Sequence, residues 1–323
     1  MSITSSGAAL TASELRKVYG AKIALHELTL EVPRGEVFGF LGPNGAGKTT
    51  SVKILTGLAR PSGGHGTLLG RPLGDIDARL KVGFLPELFR FQDWLSAEEL
   101  LRLHGDLCHM DRSSQAQRIP EVLELVGLGQ AARQRIGTFS KGMQQRLGLA
   151  QALLNWPELV ILDEPTSALD PLGRRDVRII IQRLKAQGVT VFLNSHLLSE
   201  VEMTCDRVAI VSRGRVIEEG RVEDLVGAQP RLELRVEGLD EPSAALLAER
   251  WAVSERSASR LVIALAEPRD AAEVARFLVA RGADLLEMKP LHATLEDRFV
   301  ELVEREEDGS LDLRPVNAAR SVA

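Results

Sequence analysis

The chain has 323 residues, 44% hydrophobic and 26% charged, with a formal net charge of −5. That length is enough to bury a full core and to form two domains. The slight acidic excess provides no broad basic field, which argues against nucleic acid as a primary partner. The only cysteines, Cys108 and Cys205, are widely separated. Without paired-ligand spacing, neither a disulfide framework nor a zinc site is expected, and both are read as buried thiols in a reducing compartment. Residues 1–9 lack the basic start and apolar run of a signal peptide and are read as a flexible leader. The apolar stretches 147–157 and 188–199 are shorter than the roughly 20 residues a bilayer crossing needs, so any membrane role requires another chain.

The first strand expected is Val37–Leu41, apolar without alternation and therefore covered on both faces. It runs into Gly42-Pro43-Asn44-Gly45-Ala46-Gly47-Lys48-Thr49-Thr50, followed by a helical pattern over 48–58. Strand, glycine-rich loop and helix in that order make a phosphate-binding loop. The glycines let backbone N–H groups turn toward a triphosphate, Lys48 neutralises β and γ oxygens, and Thr49 offers a hydroxyl to Mg²⁺. The ligand expected is therefore ATP with Mg²⁺.

A short apolar strand then leads into Leu85-Pro86-Glu87, and the segment 88–95 gathers Phe89, Phe91 and Trp94 in a chain only 4% aromatic. Two readings of those aromatics stand: a dock for a partner, or packing beneath a helical region over about 88–157. Next comes Phe139-Ser140-Lys141-Gly142-Met143-Gln144-Gln145-Arg146, ahead of another helix. Its serine hydroxyl, its glycine and the helix start suit a phosphate. The strand Leu159-Val160-Ile161-Leu162 ends in Asp163-Glu164-Pro165. Asp163 suits Mg²⁺ and Glu164 suits a general base acting on water. A helix over 174–187 and a strand over 189–193 follow, and Asn194-Ser195-His196 places an imidazole just past the strand end. On its own such a histidine is a structural hydrogen-bonder; beside the other motifs it is read as a contact to the γ-phosphate and the attacking water.

Residues 207–220 read as a hairpin about Arg213-Gly214 that closes the first domain. Beyond it, strands at 231–237, 260–265 and near Leu285 alternate with helices over 243–251 and 271–281. That order predicts a small α+β module of the split βαβ kind. A last helix is expected over 295–304, then a flexible tail over 305–323.

Taken together, these ordered motifs resemble the ABC ATPases over about residues 10–223, with Phe139 to Met143 similar to the family's Leu-Ser-Gly-Gly-Gln signature. The departures are Phe139, Lys141 and Met143, while Ser140 and Gly142 are retained. The resemblance implies a P-loop ABC ATPase domain (10–228) with a helical subdomain, followed by the α+β domain (229–304). It further implies ATP hydrolysis within a homodimer or a pair with a close paralogue, each Ser140 and Gly142 serving the partner's ATP through dimer closure. A separate polytopic permease completes the expected machine, holding the protein on the inner face of the membrane from the cytoplasmic side. Ser167-Ala168-Leu169-Asp170 stands where such subunits communicate. Tyr19 matches the adenine-stacking aromatic of that family, although ordinary packing competes as an explanation. Glu87 stands where glutamine is usual and is read as a metal contact, against an exposed acidic loop residue. Together with Leu291-His292-Ala293-Thr294-Leu295-Glu296-Asp297-Arg298-Phe299, Glu87 resembles the ABC-2 type exporter branch. Two competitors remain at this stage: a ligand-sensing module of an importer ATPase over 231–290, and a soluble ABC ATPase with no permease.

Overall fold

The computed structural model describes residues 7–226, 230–257, 259–291 and 294–308. They fall into two compact units, one running to Arg221 and including the chain from Leu302, the other Val222–Glu301. The division lies at the end of the hairpin, seven residues before the boundary at 228 drawn from the sequence. His292 and Ala293 lie outside the described residues, as do residues 309–323 of the expected tail, while residues 305–307 continue the last helix instead of beginning that tail.

The first unit opens with β1 (Ala8–Tyr19), β2 (Lys22–Pro33), β3 (Val37–Leu41) and helix α1 (Lys48–Leu55). Strand β1 starts inside the expected leader because Ala9 is fully buried. Helix α1 stops at Leu55 rather than at 58, where Gly57 takes a φ of 76°. Next come β4 (Gly63–Leu68), β5 (Arg71–Pro72), α2 (Ile76–Leu80) and β6 (Val82–Leu85). From there to Leu159 the regular structure is helical: α3 (Ala97–Leu107), α4 (Arg112–Leu125) and α5 (Lys141–Leu153). Helix α3 begins with a reciprocal capping box between Ser96 and Glu99. The rest alternates β7 (Leu159–Asp163), α6 (Pro171–Ala186), β8 (Thr190–Asn194), α7 (Leu198–Thr204), β9 (Arg207–Ser212) and β10 (Arg215–Arg221). Helix α6 starts three residues earlier than expected because the Asp170 carboxylate caps the Gly173 N–H at 2.8 Å.

An antiparallel sheet has the order β2-β1-β4-β5, and a six-stranded sheet the order β10-β9-β3-β8-β7-β6. All neighbours in the second sheet are parallel except β9 and β10, which form the expected hairpin. Its turn residues Arg213 and Gly214 both have positive φ, as the twist of a tight hairpin requires. Strands β3, β7 and β8 are buried at every position. Phe38, Phe40, Leu159, Ile161 and Phe192 pack with Val52, Ile54 and Leu55 of α1 in one core. That core fixes the C-terminal ends of three parallel strands beside the start of α1, the crevice where ligands bind in parallel sheets. Cys205 is buried, and burial pushes its thiol well above the usual range. Cys108 is only half-buried, contrary to expectation, because it caps the end of α3 near the surface.

The second unit holds α8 (Val222–Val226), β11 (Arg231–Glu237), α9 (Glu241–Arg250), β12 (Ala252–Arg256), β13 (Arg260–Ala264), α10 (Ala271–Ala280) and β14 (Asp284–Leu291), with α11 (Leu295–Glu307) beginning in it. The sheet order β12-β13-β11-β14 is antiparallel throughout, completing the split βαβ arrangement with β12, a strand absent from the sequence reading. Leu232, Leu234, Leu247, Ile263, Val274 and Leu278 form its core.

Candidate active site

The loop after β3 is built where side chains do not fit. A Cβ on Gly42 would lie 2.3 Å from the Val211 carbonyl oxygen, and one on Gly47 would lie 2.7 Å from the Ala24 carbonyl oxygen. Gly45 and Gly47 have φ of 85° and 100°, a conformation that L side chains resist. Ala46 is buried, its carbonyl accepting from the Gly214 N–H at 2.8 Å. Pro43 and Asn44 lead into this turn, and Thr49 is exposed and Thr50 half-buried on the first turn of α1. The Lys48 ammonium donates to the carbonyls of Gly42 at 2.6 Å and Pro43 at 3.1 Å. Burial lowers its pKa, and the charges of Glu164, Asp163 and Glu87 oppose that shift. Lys48 therefore lies within electrostatic reach of all three carboxylates.

Asp163 ends β7 at 4% exposure and accepts a hydrogen bond from the Asn194 amide at 2.5 Å. Burial pushes its carboxyl above the usual range, against the Asn194 hydrogen bond. Glu87, just past β6, donates its backbone N–H to Asp163 while its own side chain stays exposed. Glu164 adopts a φ of 54°, a left-handed conformation costing about 1–2 kcal/mol for a residue with a Cβ. Its turn is held at several points: the N–H donates to the Asn194 carbonyl at 2.9 Å, and its carbonyl accepts from the Ser167 hydroxyl at 3.1 Å and the Gln145 amide at 3.4 Å. The Glu164 carboxylate pairs with His196 Nδ1 at 2.7 Å. Burial raises the Glu164 pKa and the His196 hydrogen bond works against it. A raised carboxyl oriented by an imidazole is suited to taking a proton from water.

Ser140 and Gly142 stand elsewhere in the unit. The Ser140 hydroxyl caps α5 by accepting from the Met143 N–H at 3.2 Å. With Leu169 and Asp170 these two residues line an open recess of about 530 Å³ to which no residue of the 42–50 loop contributes. Tyr19, at the end of β1, is 48% exposed with the Lys17 ammonium 4.7 Å from its ring centroid. It pairs with Lys22 at the start of β2, the strand whose Leu25 meets Gly47. A half-exposed ring there is available for stacking.

The model of the ABC transporter family matches residues 25–167. An uncharacterised ABC transporter ATP-binding protein of Nostoc sp. is 51% identical over 67% of this chain and 68% of its own length. The chain belongs to the ABC transporter ATP-binding family. The Nod factor export ATP-binding protein I of Cupriavidus pinatubonensis is 37% identical over 93% of this chain and 92% of its own length. Among solved structures, a dimeric ATP-binding cassette in a post-hydrolysis state, bound to ADP and Pi, superposes with a TM-score of 0.61 at 27% identity, covering 66% of this chain and 98% of that one. As a member of this family the chain is an ATP-binding ATPase coupled to transport.

In this ABC ATPase the oxygen donors suit magnesium. Among the described residues no group of three or more His, Cys, Asp or Glu side chains forms a self-sufficient metal cage. Magnesium does not need one, since it is held by one or two carboxylates together with substrate phosphates and water. Thr49, Asp163 and Glu87 carry oxygen donors of the kind magnesium takes. Among the described residues no helix is long and apolar enough to cross a membrane. The sequence reading assigned no role to Asn194 or Gln145, which grip the two central acids. The only available signal was a polar residue interrupting an apolar strand at its last position.

Proposed function

We propose that this ATPase powers export of a substrate through a separate polytopic permease, acting as a homodimer or beside a close paralogue on the inner face of the cell membrane. The observation that carries the proposal is a separation within the chain: Lys48 shares its surroundings with Glu87, Asp163 and Glu164, while Ser140 and Gly142 line a recess of their own. A nucleotide on the loop of one copy is completed by the Ser140 face of a second. Tyr19 stacks on adenine, the loop amides and Lys48 hold the β and γ phosphates, and His196 contacts the γ-phosphate. Thr49, Asp163 and Glu87 would hold magnesium, which would supply positive charge to offset that of the phosphates. Water attacks the γ-phosphorus, its proton passes to Glu164, and the bond to the bridging oxygen breaks as ADP leaves. Because the Ser140 face arrives with the second copy, chemistry waits for closure.

The export direction is supported by likeness to the Nod factor export protein across both units. The aromatic segment combines both of its candidate uses. Phe89 and Phe91 lie 5.0 Å apart and pack toward Gly148, while Leu88 and Trp94 remain 86% and 71% exposed. We assign the exposed pair to the permease. Glu164→Gln protein with ATP, recovered by affinity from native membranes, is expected to bring down a polytopic membrane protein. Recovery with ribosomal or nucleic-acid partners alone contradicts the permease reading.

A further inference from the structure

Asn194 is the last residue of β8 and is 2% exposed. Along that strand it shares a face with Phe192, which packs against Phe38, Phe40 and α1. A leucine would suit such a place, so an amide there calls for partners. One half of the amide has its partner: Nδ2 donates to Asp163 Oδ1 at 2.5 Å. The other half has none, since Oδ1 is buried and accepts no hydrogen bond. Turning the amide over does not help, because it would press the carbonyl against the carboxylate. The orphaned acceptor is therefore fixed next to the acid read as a magnesium contact. Through its backbone carbonyl the same residue also holds the Glu164 N–H.

On the reading of Asp163 as the magnesium carboxylate, we infer that Asn194 is a positioning residue for the metal, orienting Asp163 through Nδ2 and accepting a hydrogen bond from a magnesium-bound water through Oδ1. Magnesium keeps much of its hydration shell, and those waters are donors in need of acceptors. Asp163 and Glu87 would be engaged by the metal itself, whereas the neutral Asn194 carbonyl would accept a hydrogen bond from water without adding a fourth negative charge near Lys48. The family reading absorbs Asp163, Glu164 and His196 but leaves this acceptor unexplained.

The test uses full-length Glu164→Gln protein, expected to bind ATP and turn it over only slowly, with Mn²⁺ as a paramagnetic stand-in read by EPR. Asn194→Ala and the shape-preserving Asn194→Leu are expected to weaken Mn²⁺ binding to the ATP complex about 10- to 100-fold, the usual effect of losing an outer-sphere partner. Their ATP affinity in EDTA is expected to stay at the parent value, with Asn194→Ser recovering part of the Mn²⁺ affinity through its hydroxyl. Unchanged Mn²⁺ affinity overturns the inference. So does an equal loss of metal-free ATP affinity, which marks a merely structural role. A parent protein whose ATP complex binds no Mn²⁺ overturns the magnesium reading itself, and the inference with it.

Discussion

The parallel sheet of the first unit and the antiparallel sheet of the second treat charge in opposite ways. In the first, β3, β7 and β8 are buried on both faces, and the acids sit at or just past strand ends. Burial there raises the carboxyls of Asp163 and Glu164. In the second, β11 alternates buried and exposed positions, and its charges are spent in pairs on the exposed side. Arg260 bridges Glu233 and Glu255, Arg256 bridges Glu241, and Lys289 meets Glu287 at 2.8 Å. Those hydrogen bonds lower the carboxyls of Glu241 and Glu287. The electrostatic cost at Asp163 and Glu164 is one that a bound cation would relieve, whereas the named carboxylates of the second unit are paired within it.

Breaking the contrast at Glu164 has the largest expected effect. Glu164→Gln should lower the hydrolysis rate about 10²- to 10⁴-fold, the range for a lost general base, measured by phosphate release. In the parent enzyme the acid limb of the rate profile should lie above the ordinary glutamate range, because burial raises that carboxyl. A limb at or below the ordinary value would contradict the assignment.

Asp163→Asn should also abolish efficient turnover, yet stabilise the protein without nucleotide by removing a buried charge. The melting temperature is expected to rise by about 2–4 °C for each kcal/mol relieved. The same shifts fix opposite slopes with pH. For Asp163 and Glu164 the folded pKa exceeds the unfolded one, so their contribution is fully present below the ordinary carboxylate value and is lost as pH rises through the raised one. For Glu241 and Glu287 the folded pKa is the lower, so their contribution is present above the ordinary value and fades as pH falls through the depressed one.

The smallest effect sharpens the comparison from the other side. Arg260→Ala, which removes two exposed bridges, should leave both melting temperature and hydrolysis nearly unmoved, since exposed pairs contribute little. A large loss of hydrolysis would mean that the second unit bears on the chemistry.

What the sequence disclosed follows the same line. The loop 42–50 was legible because its glycines are forced by close approach and positive φ, and the Asp163-Glu164 pair because it ends an apolar strand abruptly. The sheet of β1, β2 and β4 was not legible, since its register shifts break the alternation that marks a strand. Strand β12 escaped because Ala252–Arg256 is largely exposed and carries no apolar pattern. Asn194 gave no spacing signature at all, because its meaning rests on a partner 31 residues away.

Mixing two inactive variants tests most directly the claim that each site is shared between two chains. Lys48→Ala retains Ser140, and Ser140→Arg retains Lys48, so a mixed pair contains one complete site. Combining them is expected to restore part of the ATP hydrolysis that neither shows alone. No recovery on mixing, with both variants folded and able to associate, would contradict the shared site.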